Sequence, residues 1–193
     1  MVSMNEFGRK TVRKIDLRLA EREGTLSDPD SRKGPSRLMR HCLSAITGKI
    51  DDNLLERMIH LGFNPENLGA IHYAPIAEVA WANGRVTQFE QVFAISAALS
   101  SDLLQSPPAF DLFQSWLAER PHKALWSLWE DYMTDRLAIS RSASDEQFGQ
   151  RLYETASRVA LASGGLLDLG EICIAEQRVL DRIARVYNLQ VPL

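Results

Sequence analysis

Five acidic residues, Glu78, Glu90, Asp168, Glu171 and Glu176, are the positions at which this 193-residue chain could do chemistry. Carboxylate oxygens are hard donors, and several converging on one point bind Ca²⁺ or Mg²⁺ with an affinity that grows with the number of charges. The five fall in two stretches that read alike. The first runs from Glu78-Val79-Ala80-Trp81-Ala82-Asn83-Gly84 through Arg85 and Val86 to Thr87-Gln88-Phe89-Glu90-Gln91. The second runs from Arg158-Val159-Ala160-Leu161-Ala162-Ser163-Gly164 across Gly165, Asp168 and Ile172 to Cys173-Ile174-Ala175-Glu176-Gln177. Each leaves a helix of small residues at a glycine, crosses a loop, and enters a new helix with Glu-Gln in its first turn. Six positions separate glycine from glutamate in the first stretch (84 to 90) and twelve in the second (164 to 176). The pattern predicts an internal pseudo-repeat of two helix-loop-helix units whose loops face each other. Asn83, Gly84, Arg85, Gly164 and Gly165 would then form interaction loops.

The same glutamates have a second reading. Thr87-Gln88-Phe89-Glu90 matches the capping box, in which the Thr hydroxyl accepts from the amide of the third helical residue and the Glu reaches back to the cap amide. That role requires no metal. Other chemistry is not expected: there is no Gly-x-Ser-x-Gly elbow, no His-Glu-x-x-His pair and no phosphate-cradling glycine loop. His41, His60, His72 and His122 place no two ligands on one helix face. The reading is of a protein that is not an enzyme and has no organic cofactor, a divalent cation being the one candidate ligand.

The elements that must position these residues are helical. A composition of 45% hydrophobic and 24% charged suits one globular domain. Ser36 to Gly48 reads as a helix with Leu38, Cys42 and Ile46 on its core face. Asp51 or Asp52 caps a second carrying Leu54, Met58 and Leu61, stopped by Gly62. Asn64-Pro65-Glu66 opens a third that reaches Asn83, with Pro75 kinking or splitting it. Asn83 serves the following turn through its tolerance of left-handed geometry. The helix from Thr87 continues through Val92, Phe93, Ile95 and Leu99. Ser106-Pro107-Pro108 opens the next, with Phe110, Phe113, Trp116 and Leu117 as its core stripe. Leu125, Leu128, Trp129 and Tyr132 mark another. A capping box at Ser144-Asp145-Glu146-Gln147 opens a helix bearing Phe148, Leu152, Ala156 and Val159. A last helix carries Val179, Leu180, Ile183, Val186 and Tyr187. The expectation is all-α, about eight helices, in a domain spanning 35–193. Residues 1–34 read as a basic, partly flexible leader and linker, helical through Val12, Ile15 and Leu19.

Charge and composition bound the partners. Residues 1–40 hold ten Lys/Arg against six Asp/Glu, and the rest of the chain twelve against nineteen. A mildly basic arm with interleaved acids and one aromatic does not make a nucleic-acid surface, so nucleic acid is not expected. No run approaches the roughly 20 apolar residues of a membrane span. Cys42 and Cys173 make neither a disulfide framework nor a zinc pair and are expected as buried thiols. The expected protein is soluble and cytoplasmic.

Several of these residues also carry a family resemblance. Ala74-Pro75-Ile76-Ala77-Glu78-Val79-Ala80-Trp81-Ala82-Asn83-Gly84-Arg85-Val86 resembles the "P-L-V-x-V-A-W-A-D-G-x-V" segment of the tellurite-resistance TerB-like family. Ser115-Trp116-Leu117, Arg120-Pro121, Trp129-Glu130-Asp131-Tyr132, Ala162-Ser163-Gly164-Gly165 and Glu176-Gln177-Arg178-Val179-Leu180-Asp181 are similar to later parts of it. The resemblance covers roughly residues 50 to 187. It implies a compact all-α module found in bacterial tellurite-resistance systems and at the N-terminus of membrane-anchored J-domain co-chaperones. It further implies a non-enzymatic, stress-response role through a protein partner, with acidic loop residues holding a metal. Two positions depart from the pattern. Asn83 stands where the family has Asp, which removes one carboxylate from any cation site, and Cys173 stands at a cap where Ser is usual.

Overall fold

A computed structural model describes residues 34–48, 50–163 and 172–190. The expected leader helix through Val12, Ile15 and Leu19 lies outside them. Contacts divide the chain into Met1–Gly34 and Pro35–Leu193, and the architecture below is that of the second unit. It contains eight α-helices: α1 (Gly34–Thr47), α2 (Asp52–His60), α3 (Ala74–Ala80), α4 (Gln88–Leu99), α5 (Pro107–Ala118), α6 (Ala124–Ile139), α7 (Ala143–Ser163) and α8 (Ile174–Tyr187). No strand occurs among the described residues.

The short helix α3 is the centre of the bundle. It packs against α4, α5, α6, α7 and α8. Ala74, Ala77, Val79 and Ala80 have no exposed surface, and Ile76 almost none. A helix apolar all round belongs in an interior, and methyl-sized side chains let five neighbours approach its axis. Only Glu78 breaks the pattern. The expected long helix from Pro65 is split. Leu68–Tyr73 form a 3₁₀ turn, and Pro75 sits in the first turn of α3, where its missing N–H costs nothing. The piece before Pro75 cannot join α3 as one α-helix, because the ring opposes the carbonyl four residues earlier.

Aromatic anchors from the later helices fill the core around α3. Trp129, Phe113 and Tyr187 are buried, with Leu128, Met133 and Leu180 beside them. His72 lies between the Tyr132 and Phe148 rings at 6.0 and 5.8 Å. Burial, helped by the Arg136 charge, lowers its pKa to about 4, so it is a neutral core group. α7 and α8 come together at a point where only glycine fits. A Cβ on Gly149 would stand 2.7 Å from Cβ of Tyr187 and closer still to its ring.

Three further expectations are corrected. On α1 the stripe Leu38–Ile46 faces solvent, at 66% and 57% exposed, while Leu43 is buried and Met39 packs on the core. Both stripes have helical spacing, and only the tertiary contacts decide between them. The capping box of α7 is Ser142–Asp145 rather than Ser144–Gln147. Ser142 N donates to Asp145 Oδ2 at 3.0 Å, and Asp145 N donates to Ser142 Oγ at 3.3 Å. Asp145 also meets Arg136 of α6 at 3.0 Å, a partner that local pattern cannot reveal. The cysteines are not buried thiols: Cys42 is half-buried and Cys173 is exposed.

Candidate functional site

The loop after α3 is fixed at both ends. Trp81 Nε1 donates to the carbonyl of Trp116 on α5 at 2.6 Å, and Val86 packs on the core. Between them Gly84 takes φ +94°, a backbone conformation that side chains resist. The left-handed residue is therefore Gly84 and not Asn83. Asn83 contributes its side chain instead, with Oδ1 accepting from Arg85 N at 3.2 Å. Arg85 itself is exposed.

This loop delivers Thr87 to the start of α4, where the capping box is complete. Thr87 N donates to Glu90 Oε2 at 2.6 Å, and Glu90 N donates to Thr87 Oγ1 at 3.3 Å. The start of α8 repeats the arrangement with sulfur in place of oxygen. Cys173 N donates to Glu176 Oε2 at 2.8 Å, and Glu176 N donates to Cys173 Sγ at 3.5 Å. Ile172, like Val86, packs on the core just before the cap. Two helix entries thus have the same local chemistry.

Both glutamates have no exposed surface. Each uses Oε2 for its cap, and each leaves a buried Oε1 without a hydrogen-bond partner. The two are electrostatically coupled. Burial raises the Glu90 pKa above its ordinary value, the Thr87 hydrogen bonds oppose the rise, and the charge of Glu176 adds to it. A buried carboxylate facing a second carboxylate favours the protonated form, because desolvation and like charge act in the same direction.

Glu78 is engaged elsewhere. Arg182 Nη1 of α8 donates to its Oε1 and Oε2 at 2.7 and 2.9 Å. Arg182 Nε also lies 3.5 Å from Glu130 of α6, which lies 3.6 Å from Arg185. The four side chains tie α3, α6 and α8 together. Burial raises the Glu78 pKa while the Arg182 charge and hydrogen bond hold it down. Sequence spacing marked Glu78 but not Arg182 or Glu130, whose approach depends on how three helices pack.

Of the expected site residues, the structure therefore brings Glu90 and Glu176 into electrostatic contact and pairs Glu78 with arginine. Asp168, Glu171, Gly164 and Gly165 lie outside the described residues. No group of three or more His, Cys, Asp or Glu side chains that could hold a metal occurs among the described residues. A cleft of about 380 Å³ that sequence reasoning missed lies between α2 and the start of α6, lined by Arg57, His60, Leu61 and His122 among others. No helix among the described residues is long and apolar enough to cross a membrane. No protein-family model, curated protein or solved structure matches the chain.

Proposed function

We propose that this chain is a non-enzymatic, TerB-like interaction module of the stress-response kind, which works by holding a protein partner on its loops. The internal repeat of two helix-loop-helix units belongs to the same proposal. The observation that carries it is the use to which the acidic and imidazole groups are put. Glu90 and Glu176 cap helices, Glu78 binds Arg182, and His72 packs among aromatic rings. Groups that acid–base catalysis would need free are engaged in holding helices. The exposed residues Asn83, Gly84 and Arg85 are meanwhile presented on a loop fixed at Trp81 and Val86. A rigid, exposed loop suits recognition, because little ordering entropy is lost on binding.

The test is affinity capture from the source cell with wild type and Arg85→Gln in parallel. The expected result is a partner retained by wild type and weakened by about tenfold in the variant, or roughly 1.4 kcal/mol, with the melting temperature unchanged. Capture that is indifferent to every loop substitution would contradict the proposal.

A second reading has one observation in its favour. The unpartnered Oε1 atoms of Glu90 and Glu176 are the ligands a divalent cation would take, and an entering ion would relieve their repulsion. Its test is titration with Ca²⁺ or Mg²⁺, and it requires binding that Glu176→Gln abolishes.

A further inference from the structure

We infer that the outer face of α4 is a self-association surface, and that its partner is α4 of a second copy of this chain packed antiparallel about a two-fold axis. This pairing is independent of the loops and of any ion at the paired glutamates.

The face is out of place on a surface helix. Phe89, Val92, Phe93 and Leu99 are 56%, 57%, 47% and 46% exposed, while the buried side of α4 is made of Ala94, Ala98 and Glu90. The helix thus turns its large apolar residues outward and its small ones inward. The outward positions 89, 92, 96 and 99 recur at intervals of three, four and three, the a/d spacing by which one helix packs along another.

Charge and shape select the partner. From Val86 to Ser101 the only ionisable side chain is Glu90, which has no exposed surface. A lipid surface calls for Lys or Arg flanking the apolar stripe, and this stretch has none. A foreign helix with the usual charged rim would bury charges opposite a face that cannot pair them, whereas a second α4 brings no charge at all. The two halves of the face are also complementary. Phe89, Val92 and Phe93 are large, and Ser96, Ala97 and Ser100 are small. With the axis passing between Ala94 and Ile95, Phe89 of each copy meets Ser100 of the other, Val92 meets Ala97, and Phe93 meets Ser96. Each ring then fills a shallow place on the partner, as an isologous contact requires. The antiparallel arrangement also brings Arg85 of each copy toward the carbonyl end of the other α4, where a cation is favoured. A helix of 12 residues covers less than the roughly 800 Å² per partner of a standard interface, so the dimer is concentration-dependent.

Sedimentation velocity on the full chain, in reducing buffer so that exposed Cys173 cannot link copies, tests the inference. The expected result is a monomer at about 5 µM and a rising dimer fraction by about 500 µM. Phe93→Lys and Ser96→Glu should each weaken association by about tenfold or more. Mixing the two variants should restore it, because the ammonium introduced on one chain then faces the carboxylate introduced on the other. Ser96 is exposed, so Ser96→Glu keeps the fold even if Phe93→Lys disturbs it, and circular dichroism on each variant checks this. A monomer at every concentration, a dimer untouched by Ser96→Glu, or two folded monomeric variants with no recovery on mixing would overturn the inference.

Discussion

At the scale of single residues, the twin caps show how one atom changes the strength of a helix start. Thr87 offers an oxygen at 3.3 Å and Cys173 a sulfur at 3.5 Å, and sulfur is the weaker acceptor. Cys173→Ser is expected to stabilise the protein by about 0.5–1 kcal/mol in chemical denaturation, and a loss of stability would show that the thiol packs better than it caps. The paired glutamates make a second prediction. The Glu90 pKa is raised on folding, so the folded state holds its proton more tightly than the unfolded chain. That stabilisation is full below the ordinary Glu value near 4.5 and is lost as pH rises through the raised folded value. Denaturation of Glu90→Gln against pH should lack this decline, while the neutral amide still accepts from Thr87. An identical pH slope in variant and wild type would show that Glu90 does not carry it. The cap at Thr87 was legible in the sequence because a capping box is a local pattern of four residues. The unpartnered Oε1 atoms and the coupling of Glu90 to Glu176 were not, since they depend on two entries distant in sequence meeting in space.

At the scale of elements, helix existence was legible and helix orientation was less so. Hydrophobic spacing marked the buried faces of α5, α6 and α8 because aromatic and branched residues there outnumber any competing stripe. It misplaced α1, where Leu38 and Ile46 compete with Met39 and Leu43. It also could not show that α4 turns Phe89, Val92 and Phe93 outward, since a helix apolar on every side gives no direction. Gly149 is the sharpest case of an element-scale constraint invisible to pattern. A glycine inside α7 costs about 1 kcal/mol against alanine in an isolated helix, yet here it admits the Tyr187 ring of α8. Gly149→Ala should therefore destabilise by about 1–3 kcal/mol despite its better helix propensity, measured by denaturant midpoint. A stabilised variant would mean that α7 and α8 separate easily enough to take the extra methyl.

At the scale of the whole molecule, the all-helical class followed from the absence of alternating β patterns and the run of caps and glycine stops. The central position of α3 did not follow, because seven small residues carry little local signal and gain their meaning from the five helices around them. The acidic residues marked for chemistry, Glu90 and Glu176, serve as buried helix caps, which leaves the module to act through its surfaces. The measurement that bears on this most directly is thermal denaturation of wild type and Glu176→Gln at neutral pH, each with chelator and with millimolar Ca²⁺ or Mg²⁺. If the two carboxylates are caps alone, no cation shifts either transition. A cation that binds only the folded state at about 100 times its dissociation constant would add about 2.7 kcal/mol. A rise in wild-type melting temperature of that order, absent from Glu176→Gln, would refute the capping role and make the paired carboxylates a cation site.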